Sequence, residues 1–269
     1  MTLLGEEQQP VEVELKLIQY LRRLSGDEEL GLTRSSRYLQ ILTHHVPVIK
    51  KVLGFLADSS RPPSYLQHLT WFLLNIFCFP ECEANAYFEE QCSIIETGCL
   101  AIQKCNQELA GLYREQHPEA WADEELRSRV STQQKILEQV IWMISNLMIG
   151  SFEVTEKAIR QCKLFNLLGQ MLYPMRDIEV HLLQLLEYLL DTVRSYLEAI
   201  RHTPSDVEQE FIEFFRGIGP MLEQYLTTHK SQECRFLWFC SEYTQLSDSA
   251  IEIAMDYLPL TSVVMEYLT

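Results

Sequence analysis

The chain has 269 residues, 47% of them apolar and 10% aromatic, which is enough to bury a core and too much for a disordered chain. Only 10 Gly and 10 Pro leave little material for the many turns of an all-β fold, so helices are expected nearly throughout. A formal net charge of -16 repels phosphate backbones and anionic headgroups, which makes nucleic acid a poor direct partner and a basic protein segment a suitable one.

Residues 11–24 carry apolar positions that become helical after an irregular start, and Ser25, Gly26 and Asp27 stop the run. Residues 1–34 are therefore expected to form an N-terminal capping helix and loop. Between 35 and 56 two helices meet at Val46-Pro47, because proline lacks an N–H and restricts the residue before it, yet fits a first helical turn. A loop with Pro62-Pro63 follows, and then a helix from Tyr65 to Phe79 holds Trp71 and Asn75. Residues 83–105 predict two shorter helices rich in Cys and Ile. The stretch 106–131 is polar, charged and broken by Pro118, and is taken as an insertion or an elongated helix and loop.

Gln139–Gly150, QVIWMISNLMIG, places Trp142 and Asn146 at the same i, i+4 spacing as Trp71 and Asn75. Such residues share one helix face about 6 Å apart, so an indole and an amide stand side by side. One such pair is explained by a core-filling Trp and an Asn that satisfies a nearby carbonyl; the repetition points further. A helix over 178–200 has Glu187 and Asp191 in the same frame, and one over 232–245 has Trp238 and Glu242. Helices led by Pro47, Pro220 and Pro259 recur along the chain. The frames at 71, 142, 187 and 238 are 71, 45 and 51 residues apart, close to the ~40–47-residue period of armadillo and HEAT repeats once the polar insertion is set aside. The expected fold is all-α, a right-handed armadillo/HEAT-like α-solenoid of about four to five repeats, spanning 35–269 with a polar insertion near 106–131.

The motifs HLTWFLLNIFCF and QVIWMISNLMIG resemble the third helices of armadillo repeats in the importin-α family, and FLWFCSEYTQ resembles them with Glu in place of Asn. LLEYLLDTVRS matches in frame only. The resemblance implies a concave groove in which Trp71, Trp142 and Trp238 stack on the aliphatic stems of Lys or Arg in an extended basic peptide, while Asn75 and Asn146 clamp its main chain. Glu242 and Asp191 only accept hydrogen bonds at neutral pH, although each attracts a Lys or Arg; Glu187 offers no stacking surface. The chain also departs from the family in having no basic N-terminal segment. A nuclear-import-type adaptor and a structural subunit whose groove is filled by a partner, or by its own insertion, are both compatible with this pattern.

The sequence holds no Gly-rich phosphate loop, no G-x-S-x-G and no H-E-x-x-H, so no enzyme is expected. Its eight cysteines contain no C-x-x-C, and Cys78 and Cys82 are separated by Pro80 with no His nearby, so neither a metal nor another cofactor is expected. The cysteines fit free thiols of a reducing compartment. The N-terminus has no signal-peptide pattern and Leu69–Phe79 is too short to span a bilayer. An intracellular protein of the cytoplasm, the nucleus or both is expected.

Overall fold

Two prolines set where the first described helices begin. In the computed structural model the described residues are 15–16, 18–20, 43–58, 61–77, 82–114, 124–148, 151–164, 166–168, 170, 216, 237, 240–241, 244–245, 248–257 and 260. Among them every regular element is helical, which makes the fold all-α. The chain divides into two units, Met1–Cys162 and Lys163–Thr269.

In the first unit, α1 (Val46–Ala57) opens with Pro47 in its first turn, where a missing N–H leaves no helical bond unmade. Its buried residues Ile49, Val52, Leu53 and Leu56 recur every three or four positions, the spacing of one helix face. α2 (Pro63–Ile76) starts the same way, with Pro62 extended as its N-cap and Pro63 inside the first turn. Arg61 joins the two: its guanidinium lies 4.5 Å from the Phe55 ring centre and 5.1 Å from that of Tyr65, and its Nε donates to Asp58 at 3.3 Å.

α3 (Cys82–Cys92) and α4 (Ile94–Arg114) are separated by Ser93 alone. Ser93 adopts φ 51°, a left-handed conformation that ends one helix and lets the next begin in a new direction. The turn is held on both sides, because the Ser93 amide donates to the Glu89 carbonyl at 2.8 Å and the Ile95 amide donates to the Glu89 carboxylate at 2.8 Å. Glu89 is only 4% exposed, and Lys157 Nζ donates to its other oxygen at 2.7 Å while lying 3.4 Å from Glu96. Burial pushes the Glu89 carboxyl above its ordinary range; the Lys157 and Ile95 hydrogen bonds oppose that rise.

α5 (Glu124–Met148) is the longest of the described helices and packs on α2, α3, α4 and α6 (Phe152–Glu156). It runs antiparallel to α4: Gly98 lies against Ile144 at one end, and Gln133 donates to Glu108 at the other. Gly98 matters here because a Cβ at that position would come within 3.0 Å of Ile144 Cδ1 and 3.2 Å of Cγ1. Ser151 caps α6 by accepting from the Val154 amide, and the Thr155 hydroxyl donates toward the Met148 and Ser151 carbonyls at 3.1 and 2.8 Å. A π-helical segment, Lys157–Gln161, continues from α6. Among the described helices α1 lies on α4, α2 on α5 and α3 on α6, and α4 and α5 also pack closely on one another.

The polar stretch 106–131 divides between two of these helices. Residues 106–114 complete α4 and 124–131 open α5, and they contribute Leu109, Leu112, Leu126 and Val130 to the core. Residues 115–123 lie outside the described residues.

In the second unit the described helix is α7 (Asp248–Tyr257), which buries Ile253 and Ala254. Arg216 donates to the Tyr257 hydroxyl at 3.1 Å and lies over its ring. The helices expected over 178–200 and most of those over 207–226 and 232–245 fall outside the described residues, as does most of the N-terminal cap.

Candidate surface on α2 and α5

The sequence of α2 is apolar almost all round, and burial follows. Tyr65, Leu66, Leu69, Phe72, Leu73, Leu74 and Ile76 are buried, and Trp71 alone among the large apolar side chains is exposed, at 39%. α5 repeats this. Its Leu, Ile, Val and Met residues from Leu126 to Met148 are all buried, while Trp142 stays 37% exposed. An indole left in water forgoes part of the ~1.5–3 kcal/mol gained by burying a large apolar side chain, so the same choice on two helices is a feature to be explained.

The two helices are packed directly on one another, and the contact includes a buried polar pair: the Thr70 hydroxyl donates to the Gln139 side-chain oxygen. Thr70 precedes Trp71 by one residue, and Gln139 precedes Trp142 by three. Each indole therefore flanks the bond that joins its helix to the other.

The amides behave differently from the indoles. Asn75 is half-buried. Asn146 is also half-buried, but its side-chain nitrogen is turned inward and has no hydrogen-bond partner. Its backbone carbonyl accepts from Asn85 Nδ2 of α3 at 3.2 Å, and Asn85 Oδ1 has no partner either. Trp238, Glu242, Glu187 and Asp191 lie outside the described residues.

One row on α5 extends the pair found in the sequence. At four-residue spacing it reads Gln134, Glu138, Trp142 and Asn146, a row that winds slowly round the helix from its buried side at Gln134 to its exposed side at Trp142. Gln134 is fully buried with neither amide atom partnered. Burial pushes the Glu138 carboxyl up to about 7, against the opposing pull of Lys135, so at neutral pH it is poised between its neutral and charged forms. Both residues stand at the same spacing that picks out Trp142 and Asn146; what the sequence lacked was any sign that they would be withdrawn from water.

Compared with known proteins, the chain matches no family model and no curated protein sequence. The surface is therefore interpreted from its own chemistry. It offers two exposed indole faces, at Trp71 and Trp142. Among the described residues no three His, Cys, Asp or Glu side chains gather as a metal site, and no helix is long and apolar enough to cross a membrane.

Proposed function

We propose that the chain is a non-catalytic protein-binding adaptor or scaffold, in which an armadillo-like solenoid holds an extended basic peptide across the surface bearing Trp71 and Trp142. One observation carries this reading: on two directly packed helices, the only large apolar side chains exposed are the two tryptophans. Indoles take the aliphatic stems and cationic heads of Lys and Arg, and the net charge of -16 attracts such a segment. The contacts of α1 with α4, α2 with α5 and α3 with α6 support the solenoid, since in repeat arrays each element packs on its counterpart in the next unit. A nuclear-import-type adaptor is the specific form suggested by the family resemblance.

The test is a titration of Lys/Arg-rich peptides followed by intrinsic Trp fluorescence. Trp142→Ala should weaken binding about ten-fold or more, as for a buried aromatic anchor, with Asn146→Ala measured alongside. Binding that both variants leave unchanged would refute the proposal.

The inward amide of Asn146 favours a second reading, a structural subunit of a larger assembly, because a side-chain nitrogen turned away from solvent is not presented to a peptide. The native mass separates the two. A stable complex recovered with the protein supports the subunit, and a well-behaved monomer that binds peptides supports the adaptor.

A further inference from the structure

Charge is unevenly placed on the surface that bears the two indoles. Across Pro63–Ile76, α2 holds no Asp, Glu, Lys or Arg, and across 136–148, α5 holds one, Glu138. Glu138 stands one turn, ~5.4 Å, before Trp142. Side chains on a helix lean toward the turn before them, so the indole is directed over the turn that holds this carboxyl. Gln134, one turn further back, is sealed in the core, whereas Trp142 is 37% exposed. Glu138, at 9%, therefore lies where core gives way to surface.

The charges on the elements packed against α5 are engaged elsewhere or open to water. Glu89 on α3 is bonded to Lys157, Lys104 on α4 to the Asp58 carbonyl and Glu108 on α4 to Gln133, while Glu156 on α6 lies 3.5 Å from Arg160. Glu153 on α6 is exposed, and α2 contributes one histidine, His68. The charged group that acts on Glu138 is Lys135, exposed and one turn back on α5 itself.

We propose that a Lys or Arg side chain laid on the Trp142 face takes Glu138 as its counter-charge, so that binding of the basic peptide releases the Glu138 proton and tightens as pH rises. This rests on the peptide-binding reading above and adds a proton linkage to it. In the free protein, burial holds the Glu138 carboxyl up at about 7, so near neutrality the site is divided between its acid and its carboxylate. A cation within ~4–6 Å favours the carboxylate. The ligand's Lys or Arg keeps its own charge throughout this range, so the proton that leaves is the protein's. A site that gives up a proton on binding gains affinity as pH rises through its free-state value and levels off above it. The two indoles then differ in what they ask of a ligand. At Trp71, whose helix carries no carboxyl, the aliphatic stem stacks and the cation is left in water; at Trp142 the charge itself is selected.

The experiment uses the full-length chain and a Lys/Arg-rich peptide that contains no Asp, Glu or His and is amidated at its C-terminus, so that the peptide itself does not titrate. From pH 6 to pH 8 the affinity of wild type should rise about ten-fold, following the fraction of Glu138 ionised in the free protein. The rise should vanish in Glu138→Gln. Calorimetry at pH 7 in two buffers of different ionisation heat should show about half a proton released per peptide bound by wild type, and none by the variant. If wild type binds the peptide and Trp142→Ala weakens it, yet affinity is the same at both pH values, no proton is released, or Glu138→Gln keeps the same rise, the proton linkage is overturned and the peptide-binding reading stands. If wild type binds no basic peptide at either pH, both are overturned. The calorimetry on wild type decides the matter even if Glu138→Gln does not fold.

Discussion

Glu138→Gln isolates the cost of ionising a carboxyl that the fold keeps from water. Glu138 is 9% exposed, and its carboxyl moves from the ordinary 4.5 to about 7 on folding. Each unit corresponds to ~1.4 kcal/mol, so the difference is about 3 kcal/mol. The sign follows from which state binds the proton more tightly. A carboxyl raised in the folded state adds stability that is fully present below the unfolded value of 4.5, and this is lost as pH rises through the folded value near 7. Glutamine has the same shape and no titration. The stability of wild type relative to Glu138→Gln should therefore fall by about 3 kcal/mol between pH 4.5 and 8 and level off above that. Urea denaturation of both proteins at half-unit pH steps measures it, and taking the difference cancels other titrating groups such as Glu89. A difference between the two proteins that does not change with pH would refute the reasoning.

Other predictions follow from the polar groups of the first unit. Lys157→Met leaves the Glu89 carboxylate 4% exposed with only the Ile95 amide still donating to it; it should lower stability at pH 7 by about 3 kcal/mol, and by less at pH 4, where Glu89 is protonated. Gln134→Met removes a fully buried amide that has no hydrogen-bond partner and should raise the urea midpoint, with a gain of about 1–3 kcal/mol. Gly98→Val places branched carbons where even a Cβ meets Ile144 at 3.0 Å and should destabilise by about 1–3 kcal/mol; thermal unfolding checks it.

The parts of this fold that were legible in the sequence are those where a single residue decides. Pro47 marked the start of α1, and the Trp-Asn spacing marked α2 and the end of α5. The sequence places Pro63 in a loop, whereas it occupies the first turn of α2, because extended Pro62 serves as the N-cap. In 106–131 polar residues interrupt a helical periodicity that is nonetheless present. Leu109 and Leu112, then Leu126 and Val130, keep the helical interval, and some of the polar residues between them bond helix to helix, as Gln133 does with Glu108. The exposure of Trp71 and Trp142 could be argued only from their repetition, since a Trp among Leu and Ile is just as easily buried. The bond from Asn85 to the Asn146 backbone carbonyl had no signal, because it depends on another helix.

The bond between Thr70 and Gln139 acts as a register pin. A slide of α2 along α5 by one turn, ~5.4 Å, would separate the two side chains, leaving the Thr70 hydroxyl its Gln67 carbonyl at 3.1 Å and taking from the buried Gln139 oxygen its Thr70 donor, at a cost of about 1–3 kcal/mol. Intermediate slides are resisted by the close-packed apolar residues on either side. The interval between the two indoles is thus settled by the packing of α2 on α5. Under the proposed reading, a peptide would have to present its basic side chains at that interval.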